Sequence, residues 1–130
     1  MIIGIVGTRR RDSQKDFLQT EKAFLRFYMA EVLSGIKEKD TICSGLCPKG
    51  GDRFAVILSK KYNTKTLWFP AEWDKYGRSA GFKRNTDIAQ KSDILIAVVA
   101  KDRTGGTEDT IKKFIKFHGK DNLIIIEEEE

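Results

Sequence analysis

The stretch Asp93–His118, DILIAVVAKDRTGGTEDTIKKFIKFH, carries the reading that decides the fold. Its first seven residues, Asp93–Val99, are the most apolar run of the chain and show no polar alternation. A strand covered on both faces needs none, and such strands belong to parallel sheets. The run therefore predicts a strand over Asp93–Val99, placed centrally. After Thr104-Gly105-Gly106-Thr107, the residues Ile111, Phe114, Ile115 and His118 recur at helical spacing and predict a helix with one buried face. Strand, glycine turn and helix make up the crossover unit that parallel pairing requires.

The rest of the chain repeats this alternation. Ile2–Val6 reads as a strand ending at Gly7-Thr8-Arg9-Arg10-Arg11. A long helix follows, opened by Asp12 or Ser13, with Phe17, Phe24, Leu25, Tyr28 and Val32 on one face and Gly35 as its stop. Thr41–Cys43 is the second strand, followed by Ser44-Gly45, a loop through Pro48 and Gly50-Gly51, and a helix from Asp52 that turns Phe54, Ala55 and Leu58 inward. Thr66–Phe69 is the third strand, closed by Pro70. A long loop through Trp73, Tyr76 and Gly77 leads to a helix over about Ser79–Gln90. Leu123–Ile126 is the last strand, trailed by Glu127–Glu130. These elements predict an α/β, Rossmann-like three-layer sandwich with an open, mainly parallel five-stranded sheet, in a single domain over 1–130.

The 130 residues are 40% hydrophobic and 33% charged, as suits one solvated domain with one core. No apolar run approaches the roughly 20 residues of a membrane span. Met1–Val6 is followed by a basic cluster, the reverse of a secretory leader, so a cytoplasmic location is expected. Cys43 and Cys47 stand without a second Cys or His pair, so neither a disulfide framework nor a metal site is expected; they read as a buried and a loop cysteine. The net charge of +5 favours anionic partners, although a lysine-rich solvated surface gives the same figure.

The unusual residues are unevenly distributed. Gly7-Thr8-Arg9, Ser44–Arg53, Pro70–Asn85 and Thr104–Asp109 each follow a strand, whereas the connections Gly35–Asp40 and Gly119–Asn122 are short and ordinary. Open α/β sheets bind ligands at the carboxyl ends of their strands, so this asymmetry marks a site. Gly7, Thr8 and Arg9 offer backbone N–H groups, a hydroxyl and a guanidinium to phosphate, although the three arginines fit a solvated turn as well. Gly105, Gly106 and Thr107 open a helix, where a ligand approaches the backbone and the helix dipole favours anions; Thr107 as a plain N-cap is the alternative. Arg84 and Asn85 follow the aromatic stretch with Trp73, Tyr76 and Arg78, where rings stack on a base or pack. His118, the only histidine, reads as a helix C-terminal cap.

Taken together these segments resemble the SLOG superfamily, most closely its branch of YspA- and YpsA-like proteins. That branch has a strand ending in Gly-Ser/Thr-Arg, then Ser-Gly-Gly-x-x-x-Gly-x-Asp, Pro-Ala-x-Trp-x-x-x-Gly-x-x-Ala-Gly-x-x-Arg-Asn and Gly-Gly-Thr-x-x-Thr. Here these stand as Gly7-Thr8-Arg9, Ser44-Gly45 with Gly50-Gly51-Asp52, Pro70-Ala71-Glu72-Trp73 with Gly77-Arg78-Ser79-Ala80-Gly81 and Arg84-Asn85, and Gly105–Thr110. Leu46 replaces the second glycine, and Cys47-Pro48-Lys49 is irregular. The resemblance implies a nucleotide-derived small molecule as partner, with Gly7, Thr8, Arg9, Ser44, Gly45, Asp52, Trp73, Tyr76, Arg78, Arg84, Asn85, Gly105, Gly106 and Thr107 as binding residues. It implies neither cofactor nor metal, and leaves a homo-oligomer open. The related LOG enzymes cleave the N-glycosidic bond of cytokinin nucleotides. Arg84 resembles their arginine, but Thr110 stands where their catalytic glutamate lies, which leaves Arg84, with Glu108 and Asp109 in the glutamate's place, as the catalytic candidates. The DNA-processing protein A family, also related, implies single-stranded DNA as a lower-ranked partner.

Overall fold

The computed structural model of the chain describes residues 1–33, 35 and 40–128. The interior of the Gly35–Asp40 connection and the end of the glutamate tail lie outside the described residues. Five strands, β1 (Ile2–Gly7), β2 (Thr41–Ser44), β3 (Lys65–Trp68), β4 (Ile94–Val98) and β5 (Leu123–Ile126), form one open sheet in the order β3-β2-β1-β4-β5. All four pairings are parallel. Helices α1 (Gln14–Leu33), α2 (Gly51–Lys61), α4 (Ala80–Lys91) and α5 (Gly106–His118) cover it. The Rossmann-like α/β sandwich expected from the sequence is therefore observed. β4 is buried along its whole length, as its composition requires, but it lies one place off centre: the middle strand is β1.

Period-two alternation divides the core between two faces. Ile3, Ile5, Ile42 and Ile96 pack under α1 and α2 with Phe17, Phe24, Phe54 and Leu58. Val6, Cys43, Leu95, Ala97 and Val99 face α4 and α5 with Ile88, Ile111 and Phe114. On α1 the predicted face holds for Phe17, Phe24, Leu25 and Tyr28, but Val32 is 53% exposed, because the stripe rotates off the sheet in the last turn. Ser13 is the N-cap of α1: its Oγ accepts from Asp16 N at 3.1 Å while Asp16 Oδ2 accepts from Ser13 N at 3.2 Å, a reciprocal capping box. The Gly35 N–H donates to Val32 O at 3.2 Å with φ +76, in keeping with a helix stop. His118 does not cap its own helix. Its Nε2 lies 2.9 Å from Ala89 O and 3.2 Å from Gln90 O, and since both partners are acceptors Nε2 carries the proton and ties α5 to the last turn of α4.

The segment predicted as a loop before α4 is partly helical: α3 (Trp73–Tyr76) makes one turn and Gly77–Ser79 a 3-10 turn. Among the described residues, no helix is long and apolar enough to cross a membrane.

Candidate functional site

The loops that leave the carboxyl ends of β1, β2, β3 and β4 surround a cleft of about 720 Å³. In a sheet ordered β3-β2-β1-β4-β5 the direction of winding reverses between β1 and β4, and ligand crevices open at that point.

The β1 loop gives its three arginines three different roles. Arg11 is buried, with hydrogen bonds to Asp16 Oδ1 (3.1 Å), Gln19 Oε1 (2.9 Å), Val99 O (3.0 Å) and Ile126 O (2.5 Å), so it fastens α1 to the sheet. Arg10 lines the cleft but forks onto both carboxylate oxygens of Asp102 at 2.9 Å, which joins the β1 and β4 loops. That guanidinium holds the Asp102 carboxyl well below the usual carboxylate range. Arg9 lines the cleft, is exposed and has no hydrogen-bonding or ionic partner among the described residues. Gly7 and Thr8 lie beside it on the wall.

The β2 loop is built on a buried carboxyl. Asp52, in the first turn of α2, accepts from Cys47 N at 3.0 Å through Oδ2. Its Oδ1 lies 2.8 Å from Ser44 Oγ, which is also 2.6 Å from Ile5 O. The Ser44 hydroxyl is the donor toward both oxygens, so its proton is shared between the Asp52 carboxylate and the β1 backbone. Burial pushes the Asp52 carboxyl up. Arg84 reaches in from α4. Its Nη1 donates to Gly45 O at 3.1 Å and stands 3.8 Å from Asp52 Oδ2, its Nε donates to Asn85 Oδ1 at 3.1 Å, and Nη2 is left without a bond among the described residues. Asn85 Nδ2 in turn donates to Gly106 O and to Asp109 Oδ2, both at 3.2 Å. Arg84 and Asn85 thus link the β2 loop to the start of α5.

α5 opens at Gly105, whose φ of +107 aims the first turn at the cleft with no side-chain cap. Thr107 therefore lies inside the helix and is not its N-cap. Trp73, 58% exposed, and Phe82, 59% exposed, stand on the opposite wall with Pro70 and Arg78. Arg78 too is exposed and without a hydrogen-bonding or ionic partner among the described residues.

Of the residues predicted from sequence, Gly7, Thr8, Arg9, Gly45, Asp52, Trp73, Arg78, Arg84, Asn85, Gly105, Gly106 and Thr107 line this one cleft. Two do not. Ser44 is fully buried beneath it as the partner of Asp52. Tyr76 lines a separate hollow of about 190 Å³, where the Lys83 ammonium sits 4.1 Å from its ring centre. Neither Glu108 nor Asp109 lines the cleft: Glu108 pairs with Arg103 at 2.9 Å and Asp109 with Lys113 at 2.8 Å, while Thr110 does line it. Leu46, Cys47, Pro48, Phe82 and Thr104 also belong to the wall; they lie within the segments that the sequence marks after β2, β3 and β4 but were not singled out as binding residues. Phe82 lies next to the Arg84 motif on the helix, and the irregularity of 46–48 gave no indication of which side chains face the cleft. Among the described residues no three His, Cys, Asp or Glu side chains are grouped to hold a metal ion. No protein-family model, curated protein or solved structure matches the chain.

Proposed function

We propose that the chain is a SLOG-type domain that binds a nucleotide or a nucleotide-derived small molecule in this cleft, as a sensor or carrier. The observation that carries the reading is charge: among the described residues the guanidinium groups of Arg9, Arg78 and Arg84 line the cleft beside Arg10, which Asp102 matches, and Asp52 is the one carboxyl on the wall. The uncapped N-terminus of α5 adds free N–H groups and a partial positive charge at the same place. An anion is the natural complement of such a site. The exposed rings of Trp73 and Phe82 give a base an aromatic surface, and Gly105-Gly106 lets phosphate approach the backbone. Cleavage of an N-glycosidic bond is less well supported, because a carboxylate must face the sugar to stabilise its developing charge and both candidates are tied to cations outside the cleft.

Thermal melting across a panel of nucleotides and dinucleotides tests the proposal. A ligand at a hundred times its Kd stabilises the native state by about 2.7 kcal/mol. The same ligand should bind Arg84→Lys more weakly by roughly 1.5–3 kcal/mol, because one ammonium cannot hold Gly45 O and Asn85 Oδ1 and also present a donor to the ligand as Nη2 does. An unchanged melting temperature across the panel, or full binding by a cooperatively folded Arg84→Ala, would refute it.

A further inference from the structure

We infer, resting on the nucleotide reading above, that the cleft is built for a nucleotide carrying two or more phosphate groups. The argument is an inventory of which cations are already committed. Of the four arginines on the wall, Arg10 is matched by the bidentate contact of Asp102. Arg84 is partly engaged, through Nη1 and Nε, but keeps Nη2. Arg9 and Arg78 are unmatched among the described residues. Among the described residues the one carboxyl on the wall is Asp52, already bonded to Ser44 and Cys47, so it neutralises little beyond its own neighbourhood.

Placement separates these charges. Arg9 follows the end of β1 with its backbone against Gly50 at the start of α2, on the sheet edge where the winding reverses. Arg78 lies on the 3-10 turn after β3, and Arg84 on α4 against the β2 loop. One compact phosphate, with about −1.5 to −2 charge at neutral pH, is held well by one of these groups and leaves the other cations of the wall without a counter-charge. A phosphate at Arg9, Gly106 and Thr107 with a second toward Arg78 and Arg84 satisfies both. The cleft volume of about 720 Å³ is ample for such a ligand.

Calorimetric titration at fixed ionic strength tests this, using the 5′-monophosphates and 5′-diphosphates of the four common ribonucleosides and inorganic pyrophosphate. For the preferred base the diphosphate should bind at least about ten-fold tighter than the monophosphate, as one added charge-assisted contact provides. Replacing both exposed cations, Arg9→Gln with Arg78→Gln, should bring the two ligands within about three-fold while cooperative melting is retained. Monophosphate binding equal to or tighter than diphosphate binding overturns the inference and leaves the nucleotide reading standing. Pyrophosphate binding as tight as the diphosphate supports the paired phosphate site and overturns the nucleoside part of that reading. If none of these ligands binds, both fail.

Discussion

At Gly51 an added Cβ would lie 2.3 Å from both Gly7 N and Val6 C, because α2 starts against the backbone at the end of β1. Backbone cannot yield as a side chain can, so Gly51→Ala should lose more than about 3 kcal/mol in chemical denaturation. The sequence marked this glycine as part of a loop motif, yet its necessity is steric and shows only once two elements meet. Leu46 is the converse. It adopts φ +61 where the resembling pattern has glycine, a conformation that costs a leucine on the order of 1 kcal/mol, and nothing in the side chain itself announced it. Asp52 and Asp40 make two opposite statements about buried carboxyls. Asp52 accepts from Ser44 Oγ and Cys47 N, so Ser44→Ala should cost about 1–3 kcal/mol by leaving the Asp52 carboxyl short of a partner. Asp40 is buried with neither carboxylate oxygen hydrogen-bonded, and burial together with the nearby Glu31 carboxyl pushes it up to about 7. Its folded value lies above the ordinary 3.8, so between about pH 4 and 7 the native state binds more protons than the unfolded state and stability falls as pH rises. Asp40→Asn should therefore raise the melting temperature by several degrees at pH 8, with the gain vanishing near pH 4.

At the scale of elements, the strands were the most legible feature, because a short uninterrupted apolar run such as Ile94–Val98 reads as a strand covered on both faces. Helix ends were legible where a local rule fixed them. The Ser13–Asp16 box is one such rule, and Ser13→Ala should cost roughly 1 kcal/mol in melting experiments while leaving ligand affinity unchanged. They were illegible where more than a local rule decided: α5 starts at Gly106, one residue before the threonine that looks like a cap, with Gly105 at φ +107 as its N-cap and Asn85 on α4 bonded to the Gly106 carbonyl. His118 illustrates the same point, since its partners Ala89 and Gln90 lie 29 and 28 residues away in sequence. Tyr76 sits beside Trp73 in sequence, but the single turn of α3 carries the two rings to different hollows. Spacing showed that the aromatics were unusual. It could not show which way they faced.

Across the whole molecule, parallel winding brings four separated segments, led by Gly7, Gly45, Pro70 and Thr104, to one edge of the sheet. That convergence was readable in advance because it follows from topology, while the engagement of Glu108 by Arg103 and of Asp109 by Lys113 and Asn85 needed those partners to be seen. With those carboxylates occupied and Thr110 on the wall, incubation with nucleoside monophosphates should release little or no free base by chromatography. Steady base release abolished by Glu108→Gln or Asp109→Asn, in variants that still fold, would reverse that expectation. Binding of a small ligand by a few directed contacts should also weaken only gently with salt, in contrast to the steep loss that counterion release gives a strand of DNA. The central claim concerns where the ligand sits, and a backbone-amide NMR titration of the folded protein with nucleotides tests it most directly. The account predicts saturable shifts concentrated at Gly7–Arg10, Gly45–Cys47, Arg84–Asn85 and Gly105–Thr107, with the opposite edge around Thr64, Asp93 and Asn122 unmoved. Saturable shifts centred on that opposite edge, or none at all at millimolar nucleotide, would contradict it.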